Sequence, residues 1–292
     1  MTSSPRVLLA LLLLAFAPFL PAQTDSPALW KIAGQKSNVF LFGSLHLLPK
    51  DVNWRTQRVS MALDESKVVD FEIDPALAQD QQAMMQLVLK YGVLPQGQTL
   101  PSVLPPKVNA DFERQATLLG LPPASLAPMR PWLAAITVSV QYMVSQGYDP
   151  NAGVDHQLAA WARQSGRAVA TLESADEQIR VFADLTREQE VEFLAISLRQ
   201  IRETPKMLDQ MLAAYRKGDV ATLEKTLNAA FDEVPLVRRR LLRERHEKWL
   251  PQIRKMMADG RTHFVVVGAA HLAGPDGVVA MLRAGGVKVE GP

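Results

Sequence analysis

Val39-Phe40-Leu41-Phe42-Gly43-Ser44-Leu45-His46 sets four large apolar residues against a glycine, with a histidine three positions later. A run that is apolar at every position, and not at every second one, reads as a strand covered on both faces, the habit of parallel α/β sheets. The same order returns near the other end in Phe264-Val265-Val266-Val267-Gly268-Ala269-Ala270-His271. Each histidine falls just past the carboxyl end of a buried strand, the edge where such sheets hold ligands. The pairing predicts that two segments more than 200 residues apart share one sheet.

Working outward, Leu29 to Ala33 reads as a hairpin-like lead into the first buried strand. Strands are also predicted over 68–73, 168–172 and 287–289. Between them lie helical patterns over 54–65, 76–89, 107–119 and 132–144, the last apolar nearly all round and therefore read as buried. Val154, Leu158 and Trp161 give the face of another helix, and residues 176–257 hold no strand signal. Asp219 reads as an N-cap for a helix whose face is Val220, Leu223, Leu227 and Phe231, a stripe that would dock a partner if exposed. The very basic stretch 238–245 reads as a solvated helix face. The fold class is α/β with α+β-like segregation. It has a mostly parallel central sheet built from N- and C-terminal strands, its outer strands coming from opposite ends of the chain. A mainly helical insert, about residues 76–260, is interrupted by the strand near 168–172.

Residues 1–22 read as a secretory signal peptide: a basic Arg6, an apolar run from Val7 through Ala17, and a small Ala22 at the cut. That run is too short to span a bilayer comfortably, so no stable membrane span remains after cleavage. Residues 23–292 then form a single domain in the periplasm or outside the cell. The chain has no cysteine, which removes disulfides, thiolate ligands and a cysteine nucleophile. Its 32 basic against 30 acidic residues argue against nucleic acid as a partner. A peptide or small-molecule substrate is the expected partner; the oligomeric state is open.

If the strands run parallel, His46, Glu72, Glu173 and His271 crowd one edge. Two imidazoles and a carboxylate suit zinc, manganese or cobalt, so His46, His271 and Glu72 are the candidate metal ligands. Glu72 or Glu173 is the candidate base, and Arg245 or Arg130 the candidate to steady developing negative charge. Each has a plainer reading. The glycines fit ordinary turns, Glu72 alternates with Asp70 and Asp74 as on a solvated face, Asp155 suits a helix first turn, and either arginine fits a structural ion pair. His156, His246 and His263 read as surface or packing residues. No phosphate loop, dinucleotide fingerprint, His-Glu-x-x-His helix or nucleophile elbow is present.

Leu29-Trp30-Lys31-Ile32 leading into Phe42-Gly43-Ser44-Leu45-His46 resembles the opening of the TraB/GumN family. Glu72 in its strand, Pro131-Trp132, Gly153-Val154-Asp155, Leu172-Glu173-Ser174, residues 241–249 and Val267-Gly268-Ala269-Ala270-His271 are similar to its later motifs. The resemblance covers residues 29–289. It implies kinship with the Tiki metalloproteases, which use manganese or cobalt, and a wider fold group with erythromycin esterases and the haem-binding ChaN. It also implies that His46, Glu72, His271 and Arg245 are site residues. His246 departs from the small polar residue expected after the arginine. The leading expectation is a metal-dependent hydrolase, a peptidase, with a metal-activated water. The alternatives are a metal-free His/Glu hydrolase of esterase type, in which Glu72 orients a histidine base, and a non-enzymatic haem, metal or peptide binder.

Overall fold

Residues 39–42 and 264–267 are buried at every position, and their alternate side chains supply two different cores. Phe40, Phe42, Phe264 and Val266 point to one face of the sheet, where Val59, Leu63, Leu158 and Tyr215 cover them. Val39, Leu41, Val265 and Val267 point to the other, beneath Trp249, Ile253 and Leu282. Strand geometry sends successive side chains to opposite faces, so continuous apolarity is what a strand needs when helices cover both sides. The computed structural model describes residues 25–203 and 206–292, apart from the side chains of residues 228–231. The leader read in residues 1–22 lies outside them, as does the side chain of Phe231.

Six strands form one sheet: β1 (Leu29–Ala33), β2 (Asn38–Ser44), β3 (Val68–Phe71), β4 (Ala168–Thr171), β5 (His263–Gly268) and β6 (Val289–Glu290), in the order β4-β3-β5-β2-β1-β6. The pairs β4–β3, β3–β5 and β5–β2 are parallel; only β1 runs against its neighbours. β2 and β5 pair from Val39 beside His263 to Ser44 beside Gly268. The two ends of the chain thus meet in the middle of the sheet, not at its margins. The outer strands are β4, from mid-chain, and β6. The most uniformly apolar strands took the centre because only there are both faces covered.

The helical insert between β3 and β5 builds a core of its own from Leu100, Phe112, Leu126, Ala134, Leu194 and Leu198. Three expectations change here. The helix read over 76–89 is two, Pro75–Gln79 and Gln81–Tyr91. Asp80 takes an extended backbone between them, and its carboxylate accepts from Gln82 N and Ala83 N to cap the second. The apolar helix Pro131–Ser145 is buried over its first half, against Arg187–Glu203, but Val140 and Val144 reach solvent. The stripe behind Asp219 is not a free docking face, since Leu223 is buried and Leu227 packs on the main core. Among the described residues, no helix is long and apolar enough to cross a membrane.

Candidate active site

Parallel pairing brings four strand ends to one edge in the order β4, β3, β5, β2. The chemistry-bearing residues come in the same order: Glu173, Glu72, Gly268 with His271, and His46. Glu173 N donates to Glu72 O (2.9 Å), so the ladder between β3 and β4 continues one step past the strands and holds the two carboxylates side by side. The solvated-face reading of Glu72 is therefore wrong; it and Asp70 are both buried.

Arg245 lies between the carboxylates. Its Nη2 donates to Glu72 Oε2 (2.5 Å) and Glu173 Oε1 (2.6 Å), and its Nε to Glu173 (3.0 Å). Its Nη1 reaches Leu241 O (3.2 Å) and His271 Nε2 (2.9 Å). The residue sits on the helix Glu244–Met256, where Trp249 one turn on lies under both its guanidinium (4.7 Å) and the His271 ring (4.8 Å). The helix is entered through a π-helical turn, Arg239–Arg243. The basic stretch 238–245 is thus only partly a solvated face, because Arg245 is turned inward and buried. Burial opposes the charge on Glu72, yet its neighbours His271, Arg245 and His46 together with the Gly268 N–H (2.7 Å) outweigh it and hold the carboxyl well below the usual range. Burial is also set against the Arg245 charge, and the two carboxylates overcome it, raising its pKa.

One set of tautomers satisfies the buried histidines. Burial pushes His271 well below its ordinary value and His246 down to about 4, so both are neutral. Arg245 Nη1 donates to His271 Nε2, His271 Nδ1 donates to His246 Nε2 (2.9 Å), and His246 Nδ1 donates to Asp276 O (2.7 Å). His246 is thus a working member of the cluster and not a packing residue.

His46 differs. Its side chain is 61% exposed, against 8% or less for Glu72, Glu173, Arg245 and His271. Asp155 Oδ2 holds its Nδ1 at 2.7 Å, while Ser44 Oγ donates to Asp155 Oδ1 at 2.9 Å. The carboxylate raises the imidazole pKa to about 9, and solvent at this exposed ring screens the pair. The segment carrying Asp155 is docked onto the His46 loop by Val154 N to Leu45 O (3.0 Å). Gly153 is needed there because a Cβ would stand 2.0 Å from His46 O. Asp155 therefore does more than complement a helix first turn.

The free side of His46, its Nε2, faces Gly268. A Cβ built on Gly268 would lie 3.7 Å from His46 Nε2, 3.4 Å from Glu72 Oε1 and 3.4 Å from His271 Cδ2. These three residues bound one small cradle. As a metal site the cradle is incomplete, for the His271 Nε2 lone pair accepts from Arg245, and a dication bound there would stand beside a guanidinium. Among the described residues, no group of three or more His, Asp or Glu is placed to hold a metal ion. The donor set in this arrangement fits the arginine's cation better than a metal.

Arg130 is not brought to this edge. It bonds Glu190, Tyr91 O and Ala183 O, a structural pairing inside the helical insert. His263, the first residue of β5, is buried between Asp70 (2.8 Å) and Asp259 (2.9 Å). The residues missed from sequence are Asp155, His246 and Gln178, whose amide donates to both Glu72 and Glu173. The spacing of Arg245 and His246 ahead of Trp249 was a readable signal for the second; no local pattern marks Gln178.

A model of the TraB/PrgY/gumN family matches residues 28–291. The chain is 23% identical over 247 residues to the uncharacterized protein YbaP of Escherichia coli (strain K12), an alignment that covers 83% of this chain and 87% of that protein. The YbaP of Shigella flexneri gives the same figures. No solved structure matches the chain. The family match runs from the first strand to the last and takes in both Gly-x-x-His copies, and on that ground the chain belongs to the TraB/PrgY/gumN family.

Proposed function

We propose that the chain is a hydrolase of acyl bonds, in peptides or esters, acting outside the cytoplasm at the cradle over Gly268. The observation that carries the reading is the facing of His46 Nε2 and Glu72 Oε1 across the Gly268 Cβ position. Once His46 is deprotonated at Nε2, a substrate water in the cradle meets two acceptors. His46 takes a proton from it as general base, and Glu72 Oε1 orients it toward the substrate carbonyl. Asp155, and not Glu72, orients the base by occupying its Nδ1, and it stabilises the imidazolium that forms. Arg245 has all its N–H groups committed, so it acts by keeping Glu72 and Glu173 ionised and placed, not as a free donor to an oxyanion. Glu173 serves as its counter-charge.

A metal-dependent version lacks that support, since His271 turns its Cδ2 carbon to the cradle and its Nε2 accepts from Arg245. It requires Arg245 to leave His271 Nε2. A manganese, cobalt or zinc ion held by these three would supply a water of lowered pKa. The deciding experiment is turnover of a panel of p-nitrophenyl esters and fluorogenic peptides by purified protein, before and after dialysis against EDTA. Turnover that survives chelation and is lost in His46→Ala and Glu72→Gln supports the metal-free hydrolase. Turnover restored only by added metal supports the other version, and no turnover under either condition defeats both.

A further inference from the structure

Behind the Arg245–Glu173 pair lies a cavity of about 350 Å³, at the small end of the roughly 300–1,000 Å³ typical of small-ligand sites. Glu173, Arg180, Arg240, Arg245 and Lys248 are among the residues that line it. Its acidic residues are all partnered. Glu173 pairs with Arg245, Asp184 with Arg180 (3.1 Å), Glu244 with Arg239 (3.1 Å), and Glu177 with Lys248 (4.0 Å). Among the described residues, Arg240 has no acidic partner, and its Nη1 is buried with no hydrogen-bond partner. A buried guanidinium N–H left unpaired is unfavourable, and among the residues lining the cavity Arg240 alone carries such an atom.

The π-helical turn explains how Arg240 comes to be there. At 3.6 residues per turn, side chains five positions apart point about 140° away from each other. The i→i+5 winding of Arg239–Arg243 closes much of that angle, and Arg240 and Arg245 line the same cavity. A π-helical turn is rare and is found mostly at functional sites.

We propose that this cavity is a carboxylate-binding subsite, with Arg240 as the residue that recognises a free carboxylate on the substrate, such as a peptide C-terminus or an acidic side chain. The planar guanidinium fork matches a carboxylate in two-point fashion. A dianionic phosphate is disfavoured because four carboxylates share the wall with it. Since Glu173 and Arg245 line the cavity and also contact Glu72 and His271, a carboxylate held there adjoins the cradle. The assignment of that carboxylate to a substrate rests on the hydrolase reading; the binding itself does not.

The test is an NMR titration of arginine side-chain Nε–H resonances in the full chain, using N-acetylglycine, N-acetylglycinamide and inorganic phosphate. The acid is expected to bind at least tenfold more tightly than the amide or phosphate. Arg240→Gln is expected to abolish that preference with the melting temperature unchanged. Arg243→Gln, which alters an exposed arginine of the same turn whose partner Glu247 is not part of the lining, retains it. Equal binding of acid and amide, phosphate binding as tightly as the acid, or a preference that survives Arg240→Gln overturns the proposal. Selective binding of the acid with no hydrolysis of any substrate would support the subsite and defeat the hydrolase reading instead.

Discussion

Gly43 to His46 and Gly268 to His271 leave adjacent parallel strands one residue out of step, Gly43 standing beside Val267 and Ser44 beside Gly268. Yet His46 is 61% exposed and ion-paired, while His271 is 7% exposed and neutral. The difference lies in the path the chain takes beyond each glycine. After β2 the chain runs outward and meets the Asp155 helix; after β5 it coils at once into the 3₁₀ turn Ala269–His271 beneath Trp249. The same four-residue pattern thus supplies a reachable base in one copy and a positioning group for Arg245 in the other.

Exchanging each histidine for alanine tests that division most strongly. His46→Ala should lower kcat/KM by ~10²–10⁴-fold and change stability by less than about 0.5 kcal/mol. His271→Ala should destabilise the fold by about 2–4 kcal/mol, because His246 and Arg245 both lose a buried partner. Urea unfolding beside turnover separates them, and a larger stability loss in the His46 variant would end the comparison. The glycines come next. At Gly268 an added Cβ meets its neighbours at ordinary contact distances, so Gly268→Ala should fold normally and lose about tenfold or more in rate by filling the cradle. At Gly43 the Cβ would press on Ala269 Cα at 3.1 Å, so Gly43→Ala should be destabilised by about 1 kcal/mol with a smaller rate effect.

Asp155→Asn refines the His46 half. As a base, His46 works when deprotonated, so rate rises with pH through its pKa, which Asp155 lifts to about 9. Removing the carboxylate should move that limb toward the ordinary 6.5, seen as a kcat/KM profile displaced to lower pH. The smallest expected effect lies at the opposite end of β5. Burial works against the charge on His263, but Asp70 and Asp259 outweigh it and raise its pKa. Its protonated form therefore contributes stability that is complete below the ordinary 6.5 and is lost as pH rises through the raised value. Unfolding measured from pH 5 to 9 should show that slope, and His263→Gln should flatten it.

The strands, their parallel edge and the meeting of His46, Glu72, Glu173 and His271 were legible because each rests on a local pattern: apolar runs, a glycine, a polar residue at a strand end. Arg245 was legible through the family resemblance. Its role was not, since nothing local says that one guanidinium will neutralise two carboxylates from separate strands. Asp155 and Gln178 were hidden for the same reason. Their partners lie 109 and 106 positions away in the chain, and only the folded insert brings them close. Arg130 misled because an arginine just ahead of a proline-started helix has the same local appearance whether it serves a site or a structural ion pair.

The place of β5 between β2 and β3 also sets an order in time. Synthesis delivers β2 and β3 early, but they cannot be neighbours; the strand that separates them arrives some 190 residues after β3. Until then both carry a bare inner edge, the kind that pairs with the wrong chain. The cradle, which needs Gly268, is among the last features to be completed. A nascent or C-terminally clipped molecule would hold every residue of the exposed half of the site and still have no floor to it.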